Sequence, residues 1–439
     1  LKTSARDQQD DTNHRTILVF FLDINDKRMC NQLVFRMVDK LPLSDVQNKV
    51  PNNWDRKGLP GWAYSNDELF ALEQKLIFSA HWQLACHVSD LSEPGAYVTF
   101  DMGYERALIL RDKVGSIRAF HNLCRHRGSR VVDSEKGVCK SALTCPFHGW
   151  TYNLDGTLRG AAQPSTFPKL DAVEWGLKPI ELEIWNGFIF IRFQPGPQGS
   201  VAEMLRRFDD EIALYNIADM ERVAGDFIFA EAEVNWKSMR DVDNEGYHVA
   251  KAHPSLQDLY GKAYVDEPYI NGASRSLGKF NESPSKIWSV KAYRSLLAHL
   301  THLPSPHNAA WLYIGIFPNA VIGLYPDSII FYQEVPIGTK HTLQRGAVYR
   351  HKKESRIMRA ARYLSGRIDG LTADEDLQLT RWTDEAPLSS GFDRILLSDL
   401  EYGVASHHDH LRSLLPVLSL NQQPDLGTLA TSNAALKGR

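Results

Sequence analysis

The spacing of apolar and polar positions changes character several times along this chain. Residues 1–57 are polar and irregular, with Asp-Gln-Gln-Asp-Asp at 7–11 and no sustained period. From Asn66 onward, apolar residues at 69, 70, 72, 76 and 77 approach helical spacing, and Asn66 suits the N-cap of a helix. Between about 80 and 195 the texture becomes short apolar or alternating runs at 97–100, 107–110 and 116–120, separated by glycine or charged turns. The stretch 181–192 reads as a hairpin with Asn186-Gly187 at its turn. A Pro-Gly-Pro-Gln-Gly run at 195–199 then interrupts the pattern. Beyond it both periods occur, with helical signatures near 201–215, 238–250, 354–366 and 399–415 and strand signatures near 226–234, 311–316, 328–334 and 342–349. These patterns predict an α+β chain: an N-terminal extension at 1–57, a helix and β-rich domain at 58–199, a mixed domain at 200–424, and a polar tail at 425–439.

The length of 439 residues exceeds what one core usually organises and agrees with at least two domains. A formal net charge of −3 gives no electrostatic reason to expect nucleic acid or an anionic membrane as partner. The apolar run at 17–22 is far shorter than the roughly 20 residues of a membrane-spanning helix and lacks a secretory cleavage site. The expectation is a soluble, cytoplasmic protein. The sequence does not open with methionine, and Met29 and Met37 are both candidate starts.

Composition changes the picture only at the cysteines. Five of them, at 30, 86, 124, 139 and 145, are too sparse for a secreted disulfide framework. Two are specially spaced. Cys124-Arg-His126 and Cys145-Pro-Phe-His148 form Cys-x-His, eighteen residues, then Cys-x-x-His. A Rieske [2Fe–2S] centre needs two thiolates on one iron and two imidazoles on the other, and the neutral imidazoles raise its potential. A structural zinc site offers the same donors, but zinc fingers pair Cys with Cys and His with His, whereas each half here is mixed. Gly128 and Gly149 follow the donors where tight turns would aim backbone N–H groups at the sulfurs. Cys30, Cys86 and Cys139 have no such partners.

A second constellation lies at Glu245-Gly-Tyr-His248-Val-Ala-Lys-Ala-His253-Pro254. Two imidazoles and one carboxylate on one face of Fe(II) leave positions open for oxygen and substrate. Residues five apart do not share a helical face, so the helix must end or distort between His248 and His253, and Pro254 biases His253 out of helical angles. The carboxylate must come from elsewhere. Thr372-Ala-Asp374-Glu375-Asp376 offers three, of which Glu375 has capping-box spacing from Thr372, leaving Asp374 or Asp376, with Asp376 favoured. The histidines at 299, 302 and 307 and the Ser406-His-His-Asp-His410 run read as surface or helix residues.

Together these motifs resemble the alpha subunit of Rieske non-haem iron oxygenases, the aromatic-ring-hydroxylating dioxygenase family, over about 58–425. The resemblance implies a β-rich Rieske domain plus a helix-grip (START-like) catalytic domain, a [2Fe–2S] cluster and a mononuclear Fe(2+). It also implies a homo-oligomer, commonly a trimer, in which electrons pass from one subunit's cluster to a neighbour's iron. An acidic residue three positions before the first iron-ligating histidine bridges the two sites, and here it is Glu245. Ring dioxygenases mostly carry Asp there; the branch similar to choline, carnitine and glycine betaine oxygenases tends to carry Glu, and Phe317-Pro-Asn319, Tyr325-Pro-Asp327 and 329–336 also resemble that branch. Without a GxGxxG or a second iron–sulfur motif, the electrons must come from a separate NAD(P)H-dependent flavin/iron–sulfur reductase, directly or through a ferredoxin. The implied reaction is hydroxylation or N-dealkylation of a small molecule such as a quaternary ammonium compound. The alternative is ring dihydroxylation of an aromatic acid or hydrocarbon. An electron-transfer or redox-sensing Rieske protein would lack the mononuclear donors. An aromatic cage for a quaternary ammonium would draw on Tyr264, Tyr269, Trp288, Tyr293, Trp311 and Tyr313, each of which has ordinary core packing as its simpler reading.

Overall fold

The computed structural model describes residues 50–223 and 227–437. The N-terminal extension at 1–57 therefore lies mostly outside the described residues. Its last part does not: Lys57 bridges to Leu396, and Arg56 pairs with Asp399 at 2.7 Å.

Helix α1 (Asp67–Glu73) starts where the pattern predicts, with the Asn66 side chain accepting from Leu69 N at 2.7 Å. It runs on into a π-helical turn, Gln74–Phe78. Strands β1 (Gln83–His87), β2 (Ala96–Met102), β3 (Glu105–Arg111), β4 (Ile117–His121), β5 (Lys136–Val138), β6 (Leu143–Thr144), β7 (Thr151–Tyr152), β8 (Leu158–Gly160), β9 (Glu181–Trp185) and β10 (Phe188–Arg192) follow in chain order. They form three antiparallel sheets in the orders β4-β3-β2-β5, β6-β7-β8 and β1-β10-β9. The predicted hairpin is present, with Phe188 opposite Trp185 across Asn186 and Gly187.

Two short helices, α2 (Val201–Leu205) and α3 (Asp209–Ala213), lead to β11 (Met220–Arg222) and β12 (Ile228–Ala232). Three helices come next, α4 (Trp236–Asp243), α5 (Val249–Ala252) and α6 (Pro254–Tyr260), then β13 (Tyr264–Ile270) and β14 (Ala273–Lys279). Helix α7 (Trp288–Leu297) precedes β15 (Ala310–Ile316), β16 (Ala320–Leu324), β17 (Ile329–Gly338) and β18 (His341–His351). The chain closes with α8 (Arg356–Glu385), α9 (Tyr402–Leu414) and α10 (Leu429–Lys437). An eight-stranded sheet runs β11-β18-β17-β16-β15-β14-β13, with β12 also paired to β18.

Alternation along the strands gives this sheet two buried faces. Leu312, Ile314 and Ile316 of β15 point into a large core that also takes in Leu84, Ile189 and Ile191 from the β1-β10-β9 sheet. Trp311 and Tyr313 point the other way, into a core built with α6, α7 and α8. A separate small core, including Tyr97, Leu108, Trp150, Tyr152 and Leu177, sits under the two Cys/His loops.

Helix α8 is longer than the periodicity predicts. Its apolar stripe, Met358, Ala361, Leu364 and Ile368, stops where the pattern suggested an end, but the backbone continues to Glu385 with polar residues facing a cavity. The stretch read as a polar tail, 425–439, is not one throughout: α10 buries Leu429 and Asn433, and the Asn433 side chain accepts from Val417 N at 3.2 Å. No helix among the described residues is long and apolar enough to cross a membrane.

Candidate metal centres

The loops carrying Cys124 and Cys145 repeat one local pattern. Each cysteine carbonyl accepts from a glycine four residues on, Gly128 N at 2.9 Å and Gly149 N at 3.1 Å. Each cysteine N–H donates to a carbonyl five residues on, Ser129 O at 2.7 Å and Trp150 O at 2.8 Å. Both glycines take left-handed angles, φ 72° and 69°, which side-chain-bearing residues rarely adopt. The loops face each other. The Cys124 and Cys145 thiols are both buried, and burial, helped by the neighbouring Cys145 thiol, raises the proton affinity of Cys124.

The rings of His126 and His148 lie 4.6 Å apart, and His126 stacks on Trp150 at 5.2 Å. The Nδ1 atom of His126 is buried without a hydrogen-bond partner. Two thiols, two imidazoles and an unsatisfied ring nitrogen converging from matched loops are the donor set that a Rieske cluster requires, and they fit it. Tyr152 reaches the same point, its hydroxyl 3.2 Å from Cys124 Sγ. The His148 edge reaches the surface, where Phe147 is 55% exposed.

The second centre is set by breaks between helices. Asn244 ends α4, and the following turn is pinned by Asp266, whose carboxylate accepts from Gly246 N at 2.9 Å. His248 sits at the start of α5, and His253, at φ −117° and ψ 87°, separates α5 from α6, with Pro254 opening the latter. The two Nε2 atoms thereby come within 3.0 Å of each other despite the five-residue spacing. Helix α8 supplies the carboxylate: Asp376 Oδ1 lies 2.8 Å from His253 Nε2 and 3.4 Å from His248 Nε2. Among the described residues these three are the grouping whose donor atoms suit one metal ion. Asp374 lines the same cavity but is not in the group.

Each imidazole gives its other nitrogen to a glutamate. His248 Nδ1 is 2.5 Å from Glu245 Oε1, and His253 Nδ1 is 2.8 Å from Glu375 Oε2. Glu375 is therefore not a helix cap. Thr372 lies inside α8 with its hydroxyl donating to Ile368 O at 3.1 Å, so the capping-box spacing was coincidental. Burial disfavours charge on His248, but hydrogen bonds to Asp376 and Glu245 outweigh it and push the imidazole up to about 10. Burial likewise opposes ionisation of Asp376, yet the two imidazoles draw its carboxyl below the usual range. Without a cation between them, these groups need protons to coexist, as a metal site does when empty. The donor set fits a two-histidine, one-carboxylate iron.

A cavity of about 490 Å³ opens beside this centre. Of the six aromatic residues singled out from the sequence, Tyr264, Tyr269 and Tyr313 line it. Tyr293 and Trp311 are core residues, and Trp288 is on the surface under Arg367. Tyr260, Tyr325 and Tyr332 also line the cavity and were not anticipated. The 406–410 run is helical, with Asp409 exposed, but His407 and His408 are fully buried, bonded to Pro318 O at 3.0 Å and Asp241 Oδ1 at 2.7 Å. His307 is buried against the Tyr215 hydroxyl at 3.1 Å.

Comparison with known proteins finds a matching domain for each of the two cofactors. Residues 81–173 match the Rieske [2Fe-2S] domain, and residues 217–416 match the ring hydroxylating alpha subunit (catalytic domain). The chain is 30% identical over 313 residues to the glycine betaine monooxygenase oxygenase subunit of Chromohalobacter salexigens, covering 65% of this chain and 69% of that protein. It is 33% identical over 197 residues to the carnitine monooxygenase oxygenase subunit of Acinetobacter pittii, where the match spans 44% of this chain and about half, 52%, of the relative. The crystal structure of the quaternary ammonium Rieske monooxygenase CntA superposes with a TM-score of 0.69 at 24% identity, over 85% of this chain and 99% of that one. The chain belongs to the ring-hydroxylating alpha-subunit family of Rieske oxygenases, and it is a terminal oxygenase component with a [2Fe–2S] cluster and a mononuclear iron as its cofactors.

Proposed function

We propose that Cys124, His126, Cys145 and His148 hold the cluster in a domain over 58–199. His248, His253 and Asp376 hold the iron in a domain over 200–424. The enzyme oxidises an alkylated ammonium compound at a carbon bonded to nitrogen. The observation that carries the substrate class is the wall of tyrosine rings, Tyr260, Tyr264, Tyr313, Tyr325 and Tyr332, around the cavity beside the three donors. Each ring face held against a cation contributes roughly 0.5–2 kcal/mol. The relatives named for glycine betaine and carnitine support the same class.

When bound, the cluster delivers electrons singly and the iron is where dioxygen is activated. The chain's own residues do the rest. Glu245 and Glu375 fix the ring orientation of the two histidines and keep their Nε2 atoms turned inward. Glu245 also serves as the link toward the cluster of a neighbouring copy; the adjacent Tyr247, 58% exposed, marks this turn as surface. That role belongs to a homo-oligomer, a trimer, fed by a separate NAD(P)H-dependent reductase. Hydroxylation of an N-methyl carbon consumes one dioxygen, two electrons and two protons, and releases water. The resulting N-hydroxymethyl group then breaks its C–N bond to leave formaldehyde and the amine.

The experiment is substrate-dependent oxygen uptake with a surrogate reductase across betaines, methylated amines and aromatic acids. Formaldehyde or another aldehyde in step with oxygen is the expected product. A cis-dihydrodiol from an aromatic acid, with no response to amines, overturns the proposal. In the same assay Glu245→Gln retains both metals yet loses nearly all turnover, and full activity in that variant excludes the linking role.

A further inference from the structure

Helix α8 carries a second acid on the cavity side. Asp369 precedes Asp376 by seven residues, close to two full turns, so both share a face about 10 Å apart along the axis. That separation leaves room for a small alkylated ammonium between them. A Cβ added at Gly366 or Gly370 would meet nothing within 4 Å, so the helix surface beside Asp369 is open.

The Asp369 carboxylate accepts one hydrogen bond, from the Tyr325 hydroxyl at 3.1 Å, and no ion pair among the described residues includes it. Tyr325 and Tyr260 both bond the Tyr313 hydroxyl, at 3.2 and 3.1 Å, so three rings and the acid form one connected wall. A half-buried carboxylate facing a cavity without a cation beside it is costly and is stabilised by a positive partner.

The cavity's arginines are already engaged. Only two arginines and no lysine are among its lining residues. Arg240 is consumed by Asp243 at 2.8 Å and Glu334 at 3.2 Å. Arg345 donates to the carbonyls of Leu84 and Ala85, at 3.2 and 2.8 Å, on the opposite face of the large sheet. Away from the metal position, a substrate carboxylate entering here would find acids and no free arginine or lysine among the lining residues.

We propose that Asp369 is the counter-ion for the substrate's ammonium group and that the cavity selects net cations, alkylated ammonium compounds without a carboxylate, over zwitterions. This rests on the alkylammonium reading above and departs from the zwitterions for which the relatives are named. The test is calorimetric titration of the metal-loaded full chain with choline and with glycine betaine, matched in size and differing in the carboxylate. Choline binds about tenfold or more tightly than glycine betaine. Asp369→Asn abolishes that preference by weakening choline, Asp369→Glu restores part of it, and thermal melting verifies that each variant is folded. If Asp369→Asn does not fold, Tyr325→Phe, which frees the carboxylate of its hydrogen bond, shifts the choline to betaine ratio on its own. Equal affinities in the parent chain, or an unchanged ratio in a folded variant, overturn the inference while leaving the alkylammonium reading intact. Binding of benzoate with neither amine bound would instead defeat that earlier reading, and this one with it.

Discussion

His248 and His253 each divide their two ring nitrogens between the metal position and a glutamate, and only one of those glutamates was expected to matter. Glu375→Ala leaves His253 free to rotate, and its iron affinity is expected to fall by about 10–100-fold with the cluster spectrum unchanged. Chelator competition measures this; undiminished affinity would mean that the His253–Glu375 bond does not orient the ligand.

Asp369 gives a residue-level prediction in pH. Burial, reinforced by the nearby Asp327 and opposed by the Tyr325 hydroxyl, pushes its carboxyl up to about 8, whereas in an unfolded chain it ionises near 4. Between those values the folded chain holds a proton that the unfolded chain has lost, so stability drains away as pH rises from about 4 to about 8 and is then constant. Asp369→Asn should therefore melt higher than the parent at pH 8.5, by the order of 1–3 kcal/mol because the carboxylate opens to the cavity, with the margin shrinking toward pH 5. An equal margin at both pH values would contradict the shift. An ammonium ion beside the carboxylate favours its charged form and draws the pKa back down, which couples this property to binding.

At the scale of elements, the iron site depends on how three helices interrupt one another. The turn between α4 and α5 passes so close to Tyr264 that a Cβ on Gly246 would lie 2.1 Å from the ring. Gly246→Ala must move the ring or the turn, at about 1–3 kcal/mol, and is expected to lower iron content along with the melting temperature. Iron retained at parental affinity would show that the turn tolerates the shift. By contrast Gly366→Ala has open space and a helical backbone, so it should gain roughly 0.5–1 kcal/mol of stability. The break between α5 and α6 was legible, because the five-residue spacing of His248 and His253 and the proline after them admit no regular helix. The second half of α8 was not. Its apolar stripe ends at Ile368, and the residues beyond face a cavity rather than a core, so the hydrophobic period vanishes while the backbone hydrogen bonds continue.

Over the whole molecule, one core ties the N-terminal helix to the helix that leads into the iron site. Lys237 Nζ of α4 is 2.6 Å from Glu73 Oε1 of α1, both buried, and the Trp236 indole donates to the other oxygen at 2.9 Å. Lys237→Met strands the glutamate and should cost about 3–5 kcal/mol. Because the surrounding core is shared, the loss should appear in scanning calorimetry as a downward shift that includes the iron-site half rather than a separate early transition of α1.

What the sequence determined by itself was the local setting of the proposed donors. Cys124, His126, Cys145 and His148 sit in loops whose shape follows from hydrogen bonds four and five residues long, and such short-range constraints are written in spacing and in glycine. The pairings across distance were decided only by the tertiary structure. His253 meets Glu375 across 122 positions, Asp376 rather than Asp374 turns toward the histidines, and tyrosines from α6, β15 and the turn just after β16 converge with Asp369. Which carboxylate faces inward depends on the rotation of a helix packed on a sheet, and that rotation is set by buried contacts far along the chain rather than by neighbours in sequence.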